Sequence, residues 1–285
     1  MSQCAFTLSH ENGVSHLVLN RPEVMNALSL DTLHAIGGEV RAMVATGNTR
    51  ALVISSTGKH FSSGIDLQQL SGAFDALELD DPRGRFRFQR WLAGFMDDLD
   101  IMAKAPFPVI AAIHGGCLGV AFDLVLACDM RYSTSDAFFV VQEINIGTMP
   151  DMGTLQRLPK LIPDGIAREY ALTGRRLLAA RARELGLVND TFADAHALLD
   201  GAMAVAHEIA ARSPLAVAGC KAALNFARDH SVDEGLAQQR LVQAAFVSLA
   251  DIGEAMAAMQ GKRPANFADC HPDLQGLRSV HQLRQ

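Results

Sequence analysis

Asp123, Glu143 and Asp151 are the side chains whose type and setting point to chemistry. Asp123 lies inside Val120-Ala-Phe-Asp-Leu-Val-Leu-Ala-Cys128, an apolar run that holds no cation. A carboxylate in such a run must face a partner or a cavity, because burying a lone charge is costly. Glu143 follows the strand-like Phe138-Phe-Val-Val141, and Asp151 stands between Pro150 and Gly153. An apolar pocket raises a carboxyl pKa towards neutrality, and two such groups can take a proton at one atom and deliver one at another. The plainer reading of each acid is an ion pair or a solvated loop residue. Asp129, two positions from Arg131 at a helix end, is read in that structural sense.

The elements that must position these acids begin with the buried strand Pro108-Val-Ile-Ala-Ala-Ile113, which ends at His114-Gly115-Gly116. Glycines then turn the chain into the short apolar helix of Asp123. Upstream, His16-Leu-Val-Leu-Asn20 and Arg50-Ala-Leu-Val-Ile-Ser55 read as strands. Ser29 caps a helix between them, with Leu30, Leu33, Ile36, Val40, Met43 and Val44 on its inner face. Gly58-Lys-His-Phe-Ser-Ser-Gly64-Ile-Asp-Leu67 is a glycine-bounded loop whose backbone N–H groups suit negative charge. The pattern weakens from Gln68, and Asp80-Asp-Pro-Arg-Gly84 reads as a loop. Helical periodicity returns through Phe88, Leu92, Phe95, Met96 and Leu99 until Pro106 and Pro108 end it. Beyond about residue 194 only Ala-rich helices are predicted. Their start signals are Ser213-Pro214, a capping box at Ser231–Glu234 and a second at Asp251–Glu254.

These patterns divide the chain into an α/β core over 1–193, a helical region over 194–267 and a polar tail over 268–285. At 285 residues with 49% hydrophobic content the chain can bury a large core. A net charge of -6 argues against a nucleic-acid surface, and no apolar run is long enough for a membrane span. The first residues lack a signal-peptide pattern, and the C-terminal Leu283-Arg-Gln285 is not a peroxisomal address. Five cysteines without a C-x-x-C pair fit a reducing compartment, so a cytoplasmic location is expected. Cys117 has no basic partner in its segment and reads as a small buried residue.

Other motifs fail on spacing. His114 stands where a dinucleotide fingerprint needs its first glycine, Gly58-Lys59 is not a P-loop, and Ser62 and Ser63 lack a G-x-S-x-G elbow. The ten histidines show no metal spacing, so neither a metal nor a cofactor is expected. His60 and His114 read as loop or cavity-wall residues.

Over almost its whole length the chain resembles the enoyl-CoA hydratase/isomerase (crotonase) superfamily. The resemblance rests on Asn20-Arg-Pro-Glu-Val-Met-Asn-Ala-Leu28, Phe61-Ser-Ser-Gly-Ile-Asp-Leu67, the segment 108–153 and Gly261-Lys-Arg-Pro-Ala-Asn-Phe267. It implies a crotonase-like spiral of ββα units with a C-terminal helical trimerisation region. It also implies an acyl-CoA thioester substrate, with CoA part of the substrate, and a homo-oligomer, either trimer or dimer of trimers. The oxyanion-hole donors it implies are the backbone N–H groups of Ile65 and Val120. Substrate-binding positions carried over are Met25, Lys59, Gly64, Ile65, Asp66 and Leu67, with Lys262 and Arg263 as further candidates for the CoA phosphates.

Gly119-Val120-Ala121 departs from the three glycines usual in the family, and the branched Val120 is expected to narrow the pocket or shift the thioester. The triplet Asp123, Glu143, Asp151 resembles the Δ3,5-Δ2,4-dienoyl-CoA isomerases, in which two of the acids move protons at C2 and C6 during fatty-acid β-oxidation. On that resemblance Asp151 is the base and Glu143 the acid, or the reverse, and Asp123 biases their protonation or orients the substrate. The rival readings are an enoyl-CoA hydratase, with Asp123 and Glu143 activating water, and a CoA-thioester binding protein without catalysis.

Overall fold

The computed structural model describes residues 5–67 and 79–270. The weakly patterned stretch after Gln68 and most of the polar tail therefore lie outside the described residues.

The main sheet has six strands in the order β1-β2-β3-β4-β6-β9. β1 (Phe6–Glu11) and β2 (Val14–Leu19) form an antiparallel hairpin, and every later pairing in this sheet is parallel. The hairpin turns at Asn12-Gly13, both at positive φ, as a two-residue turn requires. β3 (Ala51–Ser56), β4 (Val109–Ile113), β6 (Met130–Thr134) and β9 (Asp190–Phe192) complete it. A smaller sheet, β5-β7-β8, comprises Gly116–Leu118, Phe138–Val140 and Leu177–Leu178.

β4 and the first four residues of β3 are apolar throughout because both faces of the sheet are covered there. Leu52, Ile54, Val109, Ala111 and Ile113 enter one core with α1 (Leu30–Thr46), α2 (Pro82–Lys104) and α3 (Val120–Ala127). Ala51, Val53, Ile110 and Ala112 enter the other, against Leu198, Ala202, Ala206 and Ala210. Those four lie on one stripe of α7 (Ala195–Ala210), which follows α4 (Thr154–Leu161), α5 (Asp164–Thr173) and α6 (Ala179–Glu184). A boundary at residue 194 places α7 outside the core, yet it seals the second face of the sheet.

Ser29, Ser213 and Ser231 cap their helices as the spacing predicts. Two starts differ. Asp80–Gly84 is not wholly a loop: Asp81 caps α2 and Pro82 sits in its first turn, where a missing N–H costs nothing. The last helix, α10 (Leu249–Gly261), is capped by Ser248 rather than Asp251, whose carboxylate instead accepts the Ser213 hydroxyl. Before it, α8 (Pro214–Ala227) packs on α9 (Val232–Phe246), which has no buried residue. Leu236, Leu241, Leu249 and Met259 are all at least 60% exposed, an apolar face that the described residues do not cover. The start of the expected tail is tied down, since the Arg50 guanidinium donates to Phe267 O and to Asp269.

Candidate active site

The loop 58–65 and β5, which leads into α3, are stitched together by backbone hydrogen bonds. Ser62 N–H donates to Gly116 O and Leu118 N–H to Ser62 O, both at 3.1 Å. Gly64, at φ +94°, lies so close to this segment that a Cβ would meet Leu118 O at 2.7 Å, so only glycine fits. On its other side the loop bridges Leu28 through Leu28 N–H to Gly64 O and Asp66 N–H to Leu28 O. That parallel bridge uses the groups flanking Ile65 and turns the Ile65 N–H the opposite way. Val120 is the first residue of α3, where an N–H has no acceptor within the helix. Neither N–H has a hydrogen-bond partner among the described residues. The sequence brings these two donors onto adjoining segments.

Val120 does not narrow the pocket as expected. Its side chain is 4% exposed and belongs to the main core, because the first turn of α3 points it inward.

Asp123, one turn on, is fully buried. Its Oδ1 accepts the Thr154 N–H at 2.6 Å, and its Oδ2 has no partner. Burial, then the neighbouring Glu143 charge, push its pKa up to about 7. Glu143 opens a 3-10 turn, Glu143–Ile146, directly after β7. Its Oε1 lies 3.1 Å from where a Cβ on Gly119 would be, which places the carboxylate beside the first turn of α3. Asp151 stands in the loop before α4. Burial is the main cause raising the pKa of both, and the Asp151 charge adds to it at Glu143. Asp123 feels both other charges. The three acids therefore form one electrostatic cluster, and among the described residues no ion pair to a cation is found for any of them.

Two openings flank the cluster. A cavity of about 370 Å³ is lined by Met25, His60, Ser63, Leu118, Phe138 and Gln142, among others. A larger cleft of about 980 Å³ has Asp151, Met152 and Gly153 on its wall and runs to α8. Met25, held by Ser63 N–H to its carbonyl, is thus at the site. Lys59 is exposed one residue from His60, and Leu67 is 53% exposed; neither lines these openings. Asp66 is half-buried beside Ile65. Arg263 is engaged by the Glu254 carboxylate at 2.6 and 2.9 Å, and Lys262 caps α10 next to it, so the structure does not bring this pair to the acids.

Sequence reasoning missed Arg176, whose guanidinium stacks 4.3 Å over the Phe138 ring at the mouth of the smaller cavity. Nothing in its local pattern marks it. His60 is a wall residue, as expected, with Nδ1 accepting the Gly116 N–H. Cys117 is fully buried and burial pushes its thiol well up, which removes it as a nucleophile. Asp129 is structural, but its cation is Lys221 at 2.7 Å. Arg131 instead donates to the carbonyls of Val125 and Cys128 at the end of α3 and to that of Leu187 beyond α6.

The family model for enoyl-CoA hydratase/isomerase matches residues 9–270. The peroxisomal Δ3,5-Δ2,4-dienoyl-CoA isomerase of Arabidopsis thaliana is 38% identical, covering 90% of this chain and 94% of its own. The mitochondrial Δ3,5-Δ2,4-dienoyl-CoA isomerase of Homo sapiens is 40% identical, covering 80% of this chain and 70% of its own. Among solved structures, an enoyl-CoA hydratase from Bacillus anthracis is 28% identical with a TM-score of 0.83, covering 93% of this chain and 99% of its own. The peroxisomal and mitochondrial relatives overturn the expectation of a cytoplasmic protein. Composition and cysteine usage do not distinguish one reducing interior from another, because receptors read short address segments and not the fold.

Proposed function

The chain belongs to the enoyl-CoA hydratase/isomerase family, and on that premise we propose that it is an isomerase converting a 3,5-dienoyl-CoA into a 2,4-dienoyl-CoA. The observation that carries this reading is the cluster of Asp123, Glu143 and Asp151, all raised towards neutrality, with no cation paired to them and two N–H groups without acceptors beside them among the described residues.

The thioester oxygen lies between the Ile65 and Val120 N–H groups. Asp151, ionised at the start, takes the proton from C2. The C2–H electrons become the enolate, whose oxygen charge the two donors stabilise. Glu143, protonated at the start, delivers its proton to C6 as the electrons shift along C2–C6, leaving double bonds at C2 and C4. Asp151 ends protonated and Glu143 ionised, so one proton must pass back before the next turnover. Asp123 takes no proton from the substrate. It lies buried beside Glu143, and because two neighbouring charges in one apolar site repel, the pair does not ionise together. No cofactor is needed, since the thioester supplies the electron sink. The pantetheine arm enters by the cavity at Met25, Ser63 and Leu118, with Arg176 and Lys59 facing the CoA phosphates.

The uncovered face of α9 and α10 supports a homotrimer or a dimer of trimers. Sedimentation at micromolar concentration checks this: a stable monomer removes it.

The rival activity is water addition to a 2-enoyl-CoA, favoured by the names of the solved relatives. The two separate on Asp151→Asn, assayed with both substrates. The isomerase reading expects a kcat drop of about 10²–10⁴-fold with the dienoyl substrate. Near-wild-type turnover by this variant, with Asp123→Asn and Glu143→Gln both severe, makes the protein a hydratase.

A further inference from the structure

Asp151 has no helix or strand to aim it. It lies in the loop after the 3-10 turn, and that loop is gripped at two points just beyond the acid. On one side the Thr154 N–H is held by Asp123. On the other, Arg157 of α4 reaches back over the loop. Its Nη1 donates to Met152 O at 3.3 Å, and its Nη2 pairs with Asp100 Oδ1 of α2 at 2.5 Å. Gly153 makes room for this: it sits at φ +122°, and a Cβ there would fall 1.8 Å from Arg157 Nη1. The guanidinium occupies the place of the missing side chain. Arg157 is 17% exposed and shares the wall of the larger cleft with Asp151.

The anchor is itself fixed. Asp100 also holds Lys104 at 2.6 Å. Burial works against the Asp100 charge, yet Lys104 and Arg157 keep its carboxyl below the ordinary range. No ion pair forms between Arg157 and Asp151, although only five residues separate them and both line the same cleft. Asp100 keeps the cation on the loop carbonyl.

We propose that Arg157 is a positioning residue for proton transfer, fixing the Met152–Gly153 segment so that the Asp151 carboxylate faces the reacting carbon, and that Asp100 holds Arg157 to this task. The inference rests on the reading of Asp151 as a proton carrier.

The test is a double-mutant cycle in the full chain with a 3,5-dienoyl-CoA substrate. Misplacement of a reacting group by about 1 Å can cost about 10²-fold, so Arg157→Gln is expected to lower kcat about 10–100-fold with KM within about twofold. Arg157→Lys keeps the charge for Asp100 but loses the planar fork, and restores thermal stability without restoring kcat. In an Asp151→Asn background, Arg157→Gln changes the residual rate less than about twofold, because there is no longer a base to place. If Arg157→Gln does not fold, Asp100→Asn supplies the reading by removing only the anchor. It lowers kcat about tenfold, again only while Asp151 is present. Equal losses with and without Asp151, a KM effect with intact kcat, or a fully active Arg157→Lys overturns the positioning role alone. Near-wild-type turnover by Asp151→Asn overturns the proton-carrier reading, and the positioning role falls with it.

Discussion

Asp123, in the first turn of α3, and Asp129, just past its last residue, are both largely withdrawn from water but meet different neighbours. Asp129 has the Lys221 ammonium at 2.7 Å and the Val109 N–H at 2.7 Å. Lys221 in turn donates to the carbonyls of Met102 and Phe107, tying α8 to the end of α2 and the start of β4. Burial pushes both members of this pair towards neutrality, and their mutual attraction opposes it. Asp98 repeats the pattern, buried between Arg41 at 2.6 Å and His34 at 2.8 Å. Asp123 receives one N–H, no cation and two acidic neighbours. A carboxylate with a cation against it ties elements together. A buried carboxylate left without a cation can exchange its proton near pH 7, at a cost in stability. The same side chain ties elements together at one end of the helix and joins an acidic cluster at the other.

The largest expected effect that breaks this comparison is catalytic. Glu143→Gln should lower kcat about 10²–10⁴-fold while the melting temperature holds or rises, because it removes an unpaired acid. A loss of folding in step with activity would place Glu143 with the structural acids. Losing the Ile65 donor comes next: Ile65→Pro deletes that N–H and should cost about 10²–10³-fold in kcat. A folded variant with full activity would move the oxyanion site elsewhere.

At the other end of α3 the effect is on stability. Lys221→Met leaves Asp129 without its cation and should cost about 3–5 kcal/mol in urea unfolding, with turnover per folded molecule retained. Asp129→Asn combined with Lys221→Met should recover part of that loss. A variant as stable as the parent would show the pair to be dispensable.

The smallest effect is a pH slope. An acid raised in the folded state binds its proton more tightly there than in the unfolded chain, so folding takes up protons between the two pKa values. For Asp123 that window runs from 3.8 to about 7. Its contribution to stability is full below the window and is lost as pH rises through it, at no more than about 1.4 kcal/mol per pH unit. Asp123→Asn should flatten the fall in unfolding free energy from pH 4 to pH 7. An unchanged slope would mean that Asp123 stays ionised.

The sequence by itself determined what depends on neighbours within a turn or two. Strand and helix runs, the caps at Ser29, Ser213 and Ser231, and the apolar setting of Asp123 follow from period, cap geometry and burial cost. Even locally, the Asp251–Glu254 spacing misplaced one helix start: Ser248 caps α10, and Asp251 accepts the Ser213 hydroxyl brought from the start of α8. Tertiary structure alone decided the rest. Asp129 pairs with a lysine 92 residues away, although Arg131 is the nearer cation in the chain. Val120 turns into the core because α3 meets the sheet on that face. Arg157 becomes a clamp because α2 brings Asp100 to it and Gly153 leaves the space. Charges and cavities act over a few ångströms in space, whatever their separation along the chain, so their partners are set only when distant elements pack.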